Sequence, residues 1–200
     1  MTEETSSTRL VVGLGNPGSK YSGTRHNVGF MVLEELSRRT MADSPRAKFE
    51  GQLTALKLSG AVSGSTILFW PLTFMNESGR AVAAAARFYK VEPLQDLLVI
   101  CDDISLPLGK LRMRARGSSG GQKGLKDILR ALASEEIARL RVGIEPPPEG
   151  WDVPDYVLSR FRKDEQKEID VAIREAADAV ELWCREGIDA CMNKVNRTQK

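Results

Sequence analysis

The chain contains a single histidine, His26, and its surroundings make it the first candidate for chemistry. It lies in a polar loop that also carries Asn16, Tyr21, Arg25 and Asn27. The loop follows an apolar run that ends in glycine. Such a run predicts a buried strand, and α/β proteins place their ligands where strands end. One histidine excludes a metal site built from several histidines, but it is sufficient for general-base catalysis.

Two further polar clusters follow predicted strands. Asn76 comes after the strand predicted over residues 66–70, where the alternative to ligand binding is a helix N-cap. Asp102 follows the strand predicted over residues 97–101, where the alternative is a turn residue. The three clusters could converge on one cleft. A carboxylate beside His26 would form a general-base pair, because the acid fixes the tautomer and stabilises the imidazolium. The alternative is a histidine that only makes a hydrogen bond.

Nucleophilic mechanisms fit this sequence less well. It has no G-x-S-x-G elbow, and no second histidine could activate a cysteine. Cys101 lies in a predicted buried strand, where a cysteine behaves as a small inert hydrophobe. The three cysteines are odd in number and form no C-x-x-C pair, which is typical of a reducing cytoplasm.

Residues 13–18 read GLGNPG and match the dinucleotide-binding pattern G-x-G-x-x-G, with Glu34 and Glu35 near the spacing of a ribose-binding acid. The pattern offers a Rossmann-type dehydrogenase as an alternative. That site needs a helix that begins within the motif, so that the helix N-terminus meets the pyrophosphate. Here residues 18–23 continue as a loop, so the local sequence argues against a dehydrogenase.

The composition is typical of a globular domain: 200 residues, of which 42% are hydrophobic and 28% are charged. The polar start of the chain predicts no secretory signal, and no apolar run is long enough for a membrane helix. We expect a flexible N-terminal tail over residues 1–8, one domain over 9–196 and a C-terminal tail over 197–200.

Alternating strands and helices predict an α/β fold with a largely parallel sheet. The predicted strands cover residues 10–14, 53–58, 66–70, 97–101, 108–115 and 140–144. The predicted helices cover residues 30–40, 76–89, 123–132 and 164–185, whereas residues 41–48 and 60–64 are predicted as a loop and a turn.

The net charge of +2 conceals an uneven distribution. Residues 110–141 carry nine basic and three acidic side chains, whereas residues 142–189 carry six basic and thirteen acidic ones. The basic segment could steer a polyanion onto one face. The alternative is a solvated surface that the acidic segment balances.

Several motifs together resemble one family. Residues 12–18, 24–30, 71–79, 102–109, 124–127 and 139–144 read VGLGNPG, TRHNVGF, PLTFMNESG, DDISLPLG, GLKD and RLRVGI. With Tyr21 and the C-terminal helix, these segments resemble bacterial peptidyl-tRNA hydrolases over nearly the whole chain. The resemblance implies a single α/β domain whose twisted mixed sheet, largely parallel, is flanked by helices. It also implies a monomeric cytoplasmic esterase, without metal or cofactor, that cleaves the ester between a peptide and the 3′ ribose of tRNA.

The resemblance implies roles at the peptide end of the site. His26 would take a proton from the attacking water, and Asp102 would keep the imidazole basic. Asn16 would engage the peptide and separate blocked from unblocked aminoacyl-tRNA, and Asn76 would bind substrate. Asparagine N–H groups suit this work because they can donate to an oxyanion and to peptide backbone.

The resemblance also implies contacts to tRNA. Tyr21 and Phe74 would line the tRNA end of the cleft. Arg114 and Arg141 would clamp the 5′ phosphate, since a guanidinium can meet phosphate oxygens bidentately. The alternative for Arg141 is an ion pair with the acidic C-terminal helix.

One loop departs from the family pattern. The family usually has GGxGGHNG where residues 117–124 read GSSGGQKG. Gln122 therefore replaces a histidine, and Lys123 replaces an asparagine that contacts substrate. Lysine has donors but no acceptor, so it would bind tRNA phosphate or the oxyanion rather than reproduce the amide. This departure keeps open a non-catalytic relative that binds RNA.

Overall fold

The computed structural model describes residues 8–56, 58 and 65–197 and arranges them around one sheet. Within this part of the chain, the strands are β1 (Thr8–Gly13), β2 (Arg46–Lys48), β3 (Gly51–Leu56), β4 (Ser65–Pro71), β5 (Leu97–Asp103), β6 (Leu111–Arg114) and β7 (Ala138–Gly143). The helices are α1 (Val28–Arg39), α2 (Ser78–Tyr89), α3 (Pro93–Asp96), α4 (Lys123–Ala131), α5 (Val153–Val157) and α6 (Gln166–Arg197).

The sheet is mixed, and its strands lie in the order β2-β3-β4-β1-β5-β7-β6. The four central strands β4, β1, β5 and β7 are parallel. The outer strands β3, β2 and β6 each pair antiparallel with their neighbours. The predicted α/β fold with a mixed, largely parallel sheet flanked by helices is confirmed.

The central strands are apolar on both faces because helices cover both. On β1, Val11 belongs to the core shared with α1 and α6, and Val12 belongs to the core shared with α2 and α4. Consecutive strand residues point to opposite faces, so an unbroken apolar run indicates a strand buried on both sides. The four parallel strands thus end together at one edge of the sheet, with helices packed on both of their faces.

Some predicted boundaries are wrong. The stretch 41–48, predicted as a loop, contains β2, whose three residues are all exposed and therefore show no apolar pattern. The helices α3 and α5 are four and five residues long, too short to show helical periodicity. The last helix continues past residue 185 to Arg197, through a break at Gly187, where φ is 82°.

The ends of the described chain differ slightly from the prediction. Strand β1 begins at Thr8 and α6 ends at Arg197, so each element extends one residue into a segment predicted as a tail. The turn predicted over residues 60–64 lies outside the described residues. None of the helices in the described part of the chain combines the length and the apolar character that crossing a membrane requires.

Candidate active site

A cleft of about 440 Å³ opens at the carboxyl edge of the parallel strands. The polar clusters that follow β1, β4 and β5 converge there. The predicted site residues that line it are Asn16, Tyr21, His26, Phe74, Asn76, Asp102, Lys123 and Arg141. Arg114 is the predicted site residue that lies elsewhere.

His26 and Asp102 face each other across the floor of the cleft. Nδ1 of His26 lies 2.8 Å from Oδ2 of Asp102, and the two side chains are 11% and 4% exposed. A carboxylate can only accept, so Nδ1 carries the proton of a neutral imidazole and Nε2 keeps its lone pair. Asp102 is therefore not a turn residue. That role belongs to Asp103, whose carboxylate accepts from the N–H of Ser105 at 2.8 Å.

Close backbone packing places His26 at this position. It lies in a 3₁₀ turn, Arg25–Asn27, that leads directly into α1. The first turn of α1 lies so near the end of β1 that a Cβ on Gly29 would be 2.4 Å from the backbone nitrogen of Leu14. Glycine is therefore needed for the helix to begin against the strand end and to hold the histidine turn over the sheet edge.

Asn16 is held rigidly, with its amino group free for a ligand. Its backbone N–H donates to Oδ1 of Asn27 at 2.8 Å, and its carbonyl accepts from Nδ2 of Asn27 at 3.0 Å. Its own Oδ1 accepts from the N–H of Met75 at 2.9 Å, which links the loops after β1 and β4. Because that oxygen is occupied, the amide presents its NH₂ group, which has no protein partner within the described residues.

Gln122 binds the second oxygen of Asp102. Its Nε2 donates to Oδ1 of Asp102 at 3.1 Å, while its Oε1 accepts from the N–H of Leu125 at 2.7 Å and caps α4. Sequence reasoning identified Gln122 as a replacement but assigned it no contact. The available signal was its position directly before a predicted helix, where a side chain that accepts from the backbone is expected.

Asn76 does not cap a helix. It lies inside the 3₁₀ turn Met75–Glu77, which continues into α2 without a side-chain cap. The capping alternative is therefore wrong, and the exposed amide of Asn76 lines the cleft. Tyr21, which is half-buried, and Phe74, which is 56% exposed, also line the cleft.

Helix α5 supplies a wall that the sequence did not predict. Val153, Pro154, Val157 and Leu158 face the cleft and make this side apolar. The sequence signal was slight: an acid followed by Val-Pro, which places proline in the first turn of a very short helix. The cleft therefore has polar groups on its floor and an apolar side.

Arg141 lies at the cleft, paired with the neighbouring strand. Its Nη1 donates to Oδ2 of Asp103 at 2.9 Å and its Nη2 to the carbonyl of Ser118 at 3.0 Å. The alternative, a pair with the C-terminal helix, is therefore wrong. The loop over residues 117–121, here called the glycine loop, packs on this guanidinium: Gly120 has a φ of 59°, and a Cβ there would lie 2.5 Å from Nη1.

Arg114 lies on the edge strand β6, away from the cleft floor. It is exposed and pairs in register with Arg139 of β7, as Arg112 does with Arg141. Arg139 is buried and donates to the carbonyls of Gly117 and Ser118 at 2.6 and 3.0 Å. Arg114 and Arg141, the predicted clamp residues, therefore belong to different register pairs of β6 and β7, and of the two Arg141 lines the cleft.

Lys123 is the first residue of α4, next to Gln122. Its side chain is exposed and lines the cleft. Among the described residues it has no ion-pair partner, so its ammonium group is available to a ligand. Its position at a helix N-terminus, where the backbone also carries positive partial charge, favours a negatively charged ligand group.

The site offers neither a thiol nucleophile nor a nucleotide loop. Burial, together with the neighbouring Asp102 carboxylate, raises the pKa of Cys101 to about 12. A single 3₁₀ turn, Ser19–Tyr21, follows Gly18, and the α-helix begins only at Val28, so no α-helix N-terminus meets a pyrophosphate at Gly18. Across the described residues, no group of three or more His, Cys, Asp or Glu side chains could hold a metal ion.

Comparisons with known proteins agree with this geometry. The family model described as peptidyl-tRNA hydrolase matches residues 10–200. A peptidyl-tRNA hydrolase of Rhodopirellula baltica is 48% identical over 188 residues, which cover 94% of this chain and 97% of the relative. One from Symbiobacterium thermophilum is 46% identical over 188 residues, covering 94% and 98%. The crystal structure of peptidyl-tRNA hydrolase from Acinetobacter baumannii, 33% identical, superposes with a TM-score of 0.86 over 96% of this chain and 95% of that one. The chain belongs to the peptidyl-tRNA hydrolase family.

Proposed function

We propose that this chain hydrolyses the ester between a peptide and the 3′ ribose of tRNA, releasing free tRNA and peptide for reuse in translation. His26 is the general base. Its Nε2 takes a proton from a water that attacks the ester carbonyl, and the imidazolium that forms is stabilised by Asp102. The imidazolium then gives the proton to the 3′ ribose oxygen as the bond between that oxygen and the carbonyl carbon breaks. The observation that carries this mechanism is the 2.8 Å contact between His26 and Asp102 on the cleft floor.

Amide groups bind the peptide side of the ester. The free NH₂ of Asn16 and the exposed amide of Asn76 can donate to the developing oxyanion and to the peptide backbone. Recognition through the backbone suits a substrate whose peptide varies in sequence. A peptide carbonyl offers an acceptor that a protonated α-amine lacks, so Asn16 is the residue that separates blocked from unblocked aminoacyl-tRNA.

Cations and aromatic rings bind the tRNA side. Tyr21 and Phe74 offer ring faces to unpaired bases of the 3′ end, and stacking of this kind accepts any base. The ammonium of Lys123 binds a phosphate near the ester. Arg141 and Arg114 continue outward and bind the 5′ phosphate end of the acceptor stem. The protein acts as a monomer in the cytoplasm.

The deciding experiment is release of peptide from diacetyl-lysyl-tRNA. The wild type is expected to cleave it and to leave unblocked lysyl-tRNA intact. His26→Ala should abolish cleavage while circular dichroism and tRNA binding stay unchanged. Lys167→Ala, an exposed substitution on α6, is the matched control and should retain full activity. Substantial cleavage by His26→Ala would contradict the mechanism. A wild type that binds tRNA but never cleaves it would favour the non-catalytic RNA-binding relative instead.

A further inference from the structure

We propose that Gln122 is a positioning residue, which fixes the Asp102 carboxylate and through it the tautomer and the proton affinity of His26. The inference deepens the proposed function and rests on it for the role of His26. Gln122 touches neither water nor ester in this proposal. It acts through Asp102, whose two oxygens it shares with His26.

The hydrogen bonds fix which way the amide of Gln122 points. The N–H of Leu125 belongs to the first turn of α4 and has no carbonyl partner within the helix, so it needs a side-chain acceptor. Oε1 of Gln122 meets it at 2.7 Å. In the opposite orientation, the NH₂ group of Gln122 would face the N–H of Leu125, and Oε1 of Gln122 would face the carboxylate of Asp102. Both contacts would be repulsive, so Nε2 must face Asp102.

Tight packing keeps this amide in place. Gln122 is 8% exposed, and its Nε2 also lies 3.3 Å from the sulfur of Met75. A Cβ on Gly124 would lie 2.4 Å from that sulfur and 3.2 Å from Oε1 of Gln122. Glycine at 124 therefore lets Met75 and Gln122 close over Asp102 from one side. The side chain has little room for another rotamer.

The hydrogen bond that Gln122 donates to Asp102 affects both the orientation and the charge of the carboxylate that His26 faces. With one oxygen bound by Gln122 and the other by His26, the carboxylate cannot rotate, so the imidazole keeps its Nδ1–H tautomer. The Gln122 hydrogen bond also draws negative charge away from the oxygen that faces His26. Loss of this donor leaves more charge on Asp102, which stabilises the imidazolium and makes His26 titrate at a higher pH.

The other charged groups at the cleft bear on the same titration. Asp103 and Arg141 neutralise one another at 2.9 Å, and Lys123 adds a positive charge on the first turn of α4. Arg25, adjacent in sequence to His26, is paired with Glu165. Gln122→Ser leaves all of these charged side chains unchanged, so a shift of the His26 titration in that variant reports the lost Gln122 hydrogen bond.

The chain suits a direct measurement, because His26 is its only histidine. Imidazole NMR signals therefore need no assignment, and ¹⁵N shifts report the tautomer without any catalytic turnover. Gln122→Ser keeps an N-cap acceptor for α4 but loses the donor to Asp102. Gln122→Glu keeps the length and the cap acceptor and adds a second carboxylate beside Asp102. Lys126→Gly, an exposed change within α4, weakens the helix without touching Asp102.

We expect Gln122→Ser to raise the His26 titration midpoint by about half a pH unit, and Gln122→Glu by about one unit or more once its carboxylate ionises. Both should lower kcat near pH 7, because less of His26 is then the neutral base, and leave KM nearly unchanged. Above the midpoint, the Nδ1–H share of the neutral imidazole should fall, because the Asp102 carboxylate is then free to rotate. Lys126→Gly should leave midpoint and tautomer as in the wild type. If both Gln122 variants keep the wild-type midpoint and tautomer, Gln122 is a helix cap and the proposal is wrong. Because these readouts need no hydrolysis, an inactive wild type would contradict the proposed function and still leave the positioning role decided.

Discussion

The guanidinium of Arg25 and the carboxylate of Glu165 form a buried ion pair, with Nη2 2.7 Å from Oε2 and side chains 2% and 3% exposed. The guanidinium also lies over the rings of Tyr156 and Phe161, at 4.5 and 4.9 Å from their centroids. The ion pair therefore joins the turn that carries His26 to the start of α6, and the Tyr156 contact joins the same turn to α5, which forms the apolar wall of the cleft.

Removing one partner of this pair should be costly. Among the described residues, Glu165→Gln leaves the buried Arg25 charge without a counter-ion, and Nη1 of Arg25 already lacks a hydrogen-bond partner there. We expect the free energy of unfolding to fall by about 3–5 kcal/mol, measured by urea denaturation. The exposed pair of Arg38 and Glu35 is the control, since the Arg38 side chain is 72% exposed. Arg38→Ala should cost less than about 1 kcal/mol. Equal losses in the two variants would show that burial does not matter here.

Asp102→Asn should produce the wrong tautomer of His26. Gln122 donates to position 102, so the new amide would turn its oxygen towards Gln122 and its NH₂ towards Nδ1 of His26. Nδ1 must then accept, which leaves the proton on Nε2, where water should be activated. We expect kcat to fall by about 10²- to 10⁴-fold with KM little changed.

A second substitution separates this effect from a general loss of negative charge. Asp103→Asn removes a carboxylate at the same strand end, but one that pairs with Arg141 rather than His26. It should keep the Nδ1–H tautomer and most of kcat. If Asp102→Asn retains wild-type kcat and the Nδ1–H tautomer, the carboxylate does not set the state of His26.

The sequence predicted the site better than its surroundings, for a physical reason. Asn16 and Asp102 lie at the carboxyl ends of β1 and β5, and His26 lies in the loop that joins β1 to α1. Parallel strands bring their carboxyl ends to one edge of the sheet. The alternation of predicted strands and helices along the chain was therefore enough to place these side chains at one edge of the sheet. Helix α5 is too short to show a period, so the apolar wall had no comparable signal. The hydrogen bond between Gln122 and Asp102 depends on the direction of one amide, which no pattern of residue types specifies.

The net charge of a segment likewise does not show which of its side chains are available to bind a ligand. The excess of basic residues over 110–141 is real, but its members differ in environment. Arg139 is buried and holds the glycine loop, Arg141 pairs with Asp103, and Arg114 is exposed on an edge strand. A net charge describes their sum, whereas each contribution to binding depends on what a side chain already contacts.

The arginines of β6 and β7 should govern binding of tRNA rather than the chemical step. Replacing Arg114 and Arg141 together with alanine should raise KM for peptidyl-tRNA and leave kcat nearly unchanged. The slope of log binding constant against log salt should fall by about one for each phosphate that the variant no longer neutralises. Lys167→Ala on α6 should change neither quantity. An unaltered KM and salt slope in the double variant would contradict the clamp.

The three thiols should be silent in the native protein and reactive in the unfolded one. Burial raises the pKa of Cys101 and Cys191 to about 12 and that of Cys184 to about 11, and no disulfide joins them. Thiol reagents at pH 8 should therefore label no cysteine until urea unfolds the chain, because the thiolate is the reactive form. Rapid labelling of the native protein would contradict this burial.

The same thiols make stability fall at alkaline pH. In the unfolded chain they ionise near pH 9, whereas in the folded protein they stay protonated to about pH 11 or 12. Between these limits the unfolded state binds fewer protons, so the free energy of unfolding decreases as pH rises and is unaffected by the thiols below pH 8. Cys191→Ala should remove the contribution of Cys191 to this loss of stability, so that the free energy of unfolding falls less steeply above pH 9. Urea denaturation at a series of pH values measures the slope. An equally steep decline in that variant would assign alkaline unfolding to other groups.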